Sequence, residues 1–383
     1  MYLTPPREAE VESGKIWKLK RCLYGLNDAA RQFYSSVVEV LLKCGCQQSQ
    51  LDPAMYYLQV EGRLVGMVGS HIDDFLHCGE DIFDSTVMEQ LRRRFLAGKL
   101  EEGQFRYVGF SMIQTGEGIM LDQNAYVKEV ESTKIMPQRA TQKHESLSLK
   151  EKTDLRGMVG RLNWAVQGSR PDMAFDMIEL STKFNCGQVC DLVMATKTIR
   201  KLKDQLSQVY YPCIGRPEEW KLIVFTDAAH ANLSDGVSSM GAHIIFLVGE
   251  DQNCCTLSWS AKKIKRVVRS TLAAEMLALQ EGIEDGCYLR QMLAEVLNLE
   301  IRIPLIVYCD CRSVIDAVYS TKLVDDRKLR IDIGAVREAL KRGEVTSVQW
   351  CPGTDQLANC MTKKGADGRH LLSIIQTGRF CIE

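Results

Sequence analysis

Two apolar, β-branched runs, Leu222–Thr226 and Pro304–Cys309, each stop at an aspartate, Asp227 and Asp310. Runs without polar alternation read as strands buried on both faces, so they need helices above and below them. Between them lies a long helical pattern that opens at Ser270-Thr271, both suited to capping, and runs to about Leu297. Further strands are expected at Gly241–Val248, Thr256–Trp259 and Val345–Trp350, and helices at Arg312–Tyr319, at Asp326–Arg342 and from Thr354 onward. This order fits a mixed sheet with helices on its faces.

Upstream the pattern changes. Tyr2 and Leu3 ahead of Pro5 and Pro6 read as an edge strand entering a rigid turn, which is interior-domain sequence, so part of the first domain is expected to precede Met1. With Asn27 or Asp28 as N-cap, Ala29–Lys43 places Phe33, Val37, Val40 and Leu41 on one helix face. Leu64–Val68 and Phe75–Cys78 are expected to pair around His71-Ile72-Asp73-Asp74, which puts two adjacent acids at a hairpin tip. A helix near Asp84–Phe95 and strands at Phe105–Ile113 and Gly118–Leu121 follow. From about 130 to 215 the pattern is mostly helical, with Leu155, Met158, Val159 and Leu162 at helical spacing and a break at Arg170-Pro171-Asp172.

A hydrophobic content of 45% over 383 residues supports two or three separate cores and argues against a disordered chain. The net charge of -1 hides basic clusters at Arg92–Arg94, Lys197–Lys203 and Lys262–Arg269, which permit a nucleic-acid partner without demanding one. The 15 cysteines form no paired CxxC frame, so structural zinc is not expected and the thiols read as small buried hydrophobes in a reducing compartment. No apolar run is long enough to span a bilayer, and MYLTPPREAEVESG is too polar for a signal peptide, so an intracellular place is expected, with no membrane partner.

Asp73 and Asp74 repel one another unless a cation lies between them. Magnesium suits hard carboxylate oxygens, and two such ions can hold the attacking and leaving oxygens of a phosphoryl transfer. The plain alternative is a polar β-turn. Asp227, Glu275 and Asp310 can likewise converge where strand ends meet a crossing helix. His230 and His243 lack ligand spacing and are expected at the surface or packed, and Trp164, Trp259 and Trp350 are expected in the core.

The segment KLKRCLYGLNDAARQFY, followed by LDPAMYY, SHIDDFLHCGE, FRYVGFSMI, LDQNAYVKEV and LRGMVGRLNWAVQGSRPDMAF, resembles the copia-type reverse transcriptases. FTDAAHA with SSMGAHI, WSAKKIKRVVRSTLAAEMLAL and IVYCDCRSVIDAV resemble the ribonuclease H of the same elements. The likeness covers nearly the whole chain and points to the C-terminal part of a copia-type retrotransposon Pol polyprotein. It implies a multidomain α/β and α+β chain: a partial reverse-transcriptase palm over 1–130, a helical thumb or connection over 131–215 and an RNase H-like domain over 216–383.

Carried onto this sequence, Asp73 and Asp74 take the place of the polymerase metal pair, with His71 where tyrosine usually stands. The third palm aspartate would fall before Met1, so the polymerase site is expected to be incomplete. Asp227, Glu275 and Asp310 take the ribonuclease acid positions, while QLANCMTKK puts Asn359 where the family has an aspartate, so cleavage is expected to be weakened or lost. The likeness further implies Mg2+, or Mn2+, as cofactor and nucleic-acid contacts at Tyr24, Gly25, Arg31, Lys262, Lys263 and Ser270. The implied partners are an RNA/DNA hybrid or single-stranded nucleic acid and other parts of the polyprotein, in a cytoplasmic particle or the nucleus. The implied activities are RNA-directed DNA polymerase, inactive in this form, and a weakened Mg-dependent ribonuclease H. The competing reading is an inactive nucleic-acid-binding relic or a domesticated retroelement protein.

Overall fold

The computed structural model describes residues 2–9, 11–12, 14–20, 25–95, 98, 100–321, 324 and 326–380. The chain divides into two compact units, Met1–Leu100 with Glu295–Asn298, and Glu101–Ala294 with Leu299–Glu383.

In the first unit the helix Ala29–Lys43 forms over the expected residues and buries Val37 and Leu41, with Phe33 and Val40 packed alongside. It covers an antiparallel sheet whose strands lie in the order Gln47–Gln48, Met55–Val60, Arg63–His71, Asp74–Gly79. The next helical stretch begins at Asp81 rather than Asp84, because extended Glu80 acts as its N-cap and Asp81 supplies an acid to the first turn. Its Phe83 is fully buried and lies over Gly66 and Gly79, which face each other across the sheet. A Cβ built on Gly66 would come 2.3 Å from the Phe83 ring, so both strands need glycine where the ring sits.

The second unit holds two sheets. One is antiparallel, in the order Gln208–Pro212, Gly118–Asp122, Phe110–Gln114, Gln104–Tyr107. Two expectations are corrected here. The single strand expected over Phe105–Ile113 is a hairpin, because Val108 and Gly109 take φ of 46° and 80° and reverse the chain. Gln208–Pro212, inside the stretch read as helical, is a strand whose stability comes from pairing with Gly118–Asp122, a partner distant in sequence.

The helix Leu149–Gly168 starts at a reciprocal cap between Ser148 and Glu151 and buries Leu155, Met158, Val159 and Leu162. The Arg170-Pro171-Asp172 break then leads into the helix Ala174–Ser181.

The mixed sheet runs Cys254–Lys263, Met240–Val248, Lys221–Ala229, Leu305–Cys309, Ser347–Trp350. The first three strands are antiparallel to one another, and Leu305–Cys309 is parallel to both strands that flank it. Ile223, Phe225, Ile244 and Phe246 pack into one core, while Leu222, Val224, Ile245 and Leu247 join the helix Thr271–Leu297 in another. That alternation is why both strand faces are apolar.

The helix expected from Thr354 is instead two short helices, Asn359–Thr362 and Arg369–Thr377, separated by Gly365 at φ 69°. Trp164 and Trp350 are 38% and 41% exposed, which corrects their expected core placement. Cys46, Cys254, Cys309, Cys351 and Cys360 are buried as expected, whereas Cys78, Cys186 and Cys213 are exposed. No helix among the described residues is long and apolar enough to cross a membrane.

Candidate metal centre at the end of the mixed sheet

Phe225 pairs with Tyr308 in the parallel register, and their rings stack with centroids 5.2 Å apart. Continuing that register, Asp227 stands level with Asp310, which directly follows Leu305–Cys309; the strand expected to stop at Asp227 instead runs two residues further, to Ala229, because Asp227–Ala229 stay paired with Met240–Ala242. Glu275 reaches these two acids from the second turn of the helix Thr271–Leu297, which lies unusually close to the sheet: a Cβ on Gly282 would be 2.6 Å from the Thr226 methyl. Glu275 Oε2 accepts a hydrogen bond from the Ala228 N–H at 3.1 Å.

Asp227 is fully buried and both of its oxygens are engaged. Oδ2 accepts from the Thr362 hydroxyl, and Oδ1 accepts from Lys363 Nζ at 3.1 Å. The same ammonium lies 3.8 Å from Asp310 Oδ2 and also donates to Asn359 Oδ1. The Asn359 amide donates to the Gly353 carbonyl at 2.8 Å.

Burial raises the Asp227 carboxyl above its usual value, opposed by Lys363. Burial, then the charges of Asp227 and Asp310, push Glu275 up to about 9. Burial alone would lower the Lys363 ammonium, but Asp227, Asp310 and Glu275 together raise it. Three acids in a poorly solvated pocket therefore share one cationic side chain.

Glu275, Cys309 and Asp310 present ligand atoms within 4.8 Å of one another. The Cys309 thiol is driven upward by burial, and a neutral thiol is a poor ligand for a hard cation. The two carboxylates of this group would suit one hard divalent ion, while Asp227 is engaged by Lys363 and Thr362. Position 359 offers only a neutral carbonyl, already bonded to Lys363.

Sequence reasoning did not single out Lys363, Thr362 or Cys309. Lys363 and Asn359 are i, i+4, a spacing that could have linked them.

At the rim, Trp350 donates its indole N–H to the Asp310 carbonyl at 3.0 Å, and the Arg312 guanidinium lies 4.4 Å from its ring centroid. A cavity of about 200 Å³ beside Asn359 is lined also by Gly353, Gln356, Asp367 and His370. A larger one, about 600 Å³, is lined by Cys287, Arg290, Arg302 and Glu344 and includes none of the expected site residues.

The other expected positions stand apart from this cluster. Asp73 and Asp74 are exposed at the tip of the first unit's hairpin, where Ile72 takes φ 52°. Among the described residues that tip belongs to no group of three potential ligands within 4.8 Å of one another. Gly25 takes φ 88°, and Arg31 is exposed. Tyr24 lies outside the described residues.

Lys262 pairs with Glu281 at 3.1 Å and Lys263 with Asp235 at 3.2 Å, while Ser270 Oγ accepts from the Ala273 N–H at 3.2 Å. His243 is buried and bonds Asp285 at 2.8 Å, and His230 Nε2 lies 3.3 Å from the Val268 carbonyl. Both histidines are therefore packed, as expected.

Residues 1–143 match the reverse transcriptase (RNA-dependent DNA polymerase) family. The matched segment includes the Met1–Leu100 part of the first unit, and the five-stranded mixed sheet with its acids lies beyond it in sequence. The chain is similar to the retrovirus-related Pol polyprotein from transposon RE1 of Arabidopsis thaliana, 24% identical over 365 residues, covering 91% of this chain and 24% of that protein. The corresponding polyprotein from transposon TNT 1-94 of Nicotiana tabacum is 25% identical over 339 residues, covering 82% and 25%. The chain thus spans about a quarter of the length of these relatives. Among solved structures, RNase H1 from Halobacterium salinarum NRC-1 is similar at 19% identity, covering 36% of this chain and 89% of that one with a TM-score of 0.26. Over most of its length the chain is thus similar to retrovirus-related Pol polyproteins of transposons, in keeping with the resemblance its motifs carry.

Proposed function

We propose that the second unit binds an RNA/DNA hybrid across the acid-bearing end of its mixed sheet and cleaves it weakly, because the site holds one divalent cation rather than two. The convergence of Asp227, Glu275 and Asp310 around Lys363 carries this reading. A bound Mg2+ or Mn2+ would supply the charge that stabilises phosphoryl oxygens during attack on the RNA strand.

Glu275 and Asp310 would hold that ion, and Thr362 would keep Asp227 oriented beside it. Trp350, stacked with Arg312, offers a flat face at the rim for sugar or base contact. In the first unit Asp73 and Asp74, side by side at the hairpin tip, are the proposed polymerase-type metal pair.

A second reading, hybrid binding without cleavage, is favoured by the neutral residue at position 359. The two are separated with a labelled RNA/DNA hybrid in Mg2+. The first expects binding that weakens as salt rises, slow cleavage, and faster cleavage by Asn359→Asp. Binding with no cleavage by either form favours the second. No binding at low salt removes both, and rapid native cleavage unchanged by Asn359→Asp removes the weakened-site account.

A further inference from the structure

We infer that Lys363 is a built-in counter-cation: its ammonium closes the acid cluster when no metal is bound, and a divalent ion must displace it to enter. This deepens the metal centre proposed above and rests on it.

Nζ of Lys363 is surrounded by oxygens from three side chains: Asp227 Oδ1 at 3.1 Å, Asp310 Oδ2 at 3.8 Å and Asn359 Oδ1. A point between two carboxylates and an amide carbonyl is where a hard cation would be held, and a compact ammonium satisfies the same electrostatic demand. The need is real, since Asp227 is fully buried and a buried carboxylate without a partner is costly.

The segment carrying Lys363 is fixed at several points. The Thr362 hydroxyl donates to Asp227, the Thr362 carbonyl accepts from Asn232 at 2.8 Å, and the Lys363 N–H donates to the Asn359 carbonyl at 3.0 Å. The main chain therefore aims the side chain at the acids, while the side chain itself remains 42% exposed. A flexible stem with an outlet to solvent lets the ammonium leave without moving the backbone.

Asparagine at position 359 belongs to the same device. Its carbonyl accepts from Lys363 and its amide is tied to Gly353, so it orients the ammonium. A carboxylate there would add one more charge for the ammonium to balance. The resulting trade is a cluster that is stable without metal and binds metal less tightly.

The test measures Mn2+ binding by the whole chain, from the loss of the free-ion EPR signal, for the native form, Lys363→Met and Lys364→Met. Lys364 is exposed, so its variant removes the same net charge without touching the cluster. Removing the competing ammonium should tighten Mn2+ binding about tenfold in Lys363→Met, with Lys364→Met close to native.

Should Lys363→Met not fold, the native chain gives an independent readout. Brief acetylation followed by peptide mass spectrometry should show Lys363 becoming more reactive relative to Lys364 when Mn2+ is added, as the ammonium leaves the acids. Equal Mn2+ affinity in all three forms, or no change in Lys363 reactivity on Mn2+ binding, overturns the counter-cation and leaves the metal centre standing. No Mn2+ binding by any form overturns both.

Discussion

Glu275 accepts the Ala228 N–H at 3.1 Å, which ties the long helix to the strand residue directly after Asp227. The bond satisfies a main-chain donor and at the same time fixes a carboxylate among like charges. Local order is thus maintained at an electrostatic cost.

That cost has a pH signature. Glu275 is pushed up to about 9 from 4.5, so between these values the folded chain keeps a proton that the unfolded chain has released. Without divalent cations, stability should therefore fall as pH rises through this window. Glu275→Gln keeps an acceptor for Ala228 and removes the proton uptake that folding requires at this site, so it should melt several degrees higher than native in EDTA at neutral pH, with a flatter pH profile. Thermal melts across the window check this, and a lower melting temperature for the variant contradicts it.

The reciprocal cap at Ser148 and Glu151 predicts the opposite slope. Arg139, bonded to Glu151 at 2.9 Å through both Nε and Nη2, together with the Ser148 cap, holds this carboxyl down to about 2 against the opposing effect of burial. Its contribution is complete above pH 4.5 and is lost as pH falls toward 2. Glu151→Ala should cost about 1–2 kcal/mol at neutral pH and progressively less in acid, measured by urea unfolding.

Arg170 and Asp172 form a bidentate pair at 2.8 Å with side chains 1% and 6% exposed, and Arg170 also donates to the Gln205 carbonyl. Removing one partner strands a buried charge, so Arg170→Met should cost about 3–5 kcal/mol. The double variant Arg170→Met/Asp172→Leu should recover much of that loss. A double-mutant cycle showing additive losses would refute a coupled pair.

Gly66 is expected to reject any side chain, since its Cβ would meet the Phe83 ring at 2.3 Å. Gly66→Ala should destabilise the first unit by about 1–3 kcal/mol, and Phe83→Leu in the same chain should relieve part of it. Proteolysis rates of the two forms measure this; equal rates for Gly66→Ala and native would show that the ring moves freely.

Much of the frame was legible because local patterns encode it. Ala29–Lys43 declared itself through apolar spacing, and the strands Lys221–Ala229 and Leu305–Cys309 through runs apolar on both faces, although the first runs two residues past Asp227. The errors came where a few residues or a distant partner decided the outcome. Val108-Gly109 split an apparent strand, Gly365 interrupted an apparent helix, and Gln208–Pro212 became a strand by pairing with Gly118–Asp122. Trp350 looked like core yet lies exposed, since its position on an edge strand leaves one side open.

By itself the sequence determined that buried strands would carry acids near their C-terminal ends and that a long helix would carry another, since both follow from periodic burial along a contiguous segment. Only the tertiary structure decided that Lys363, rather than position 359, supplies the balancing group among those acids. Charge pairing depends on distances of a few ångströms between residues far apart in the chain, and no local pattern fixes those distances.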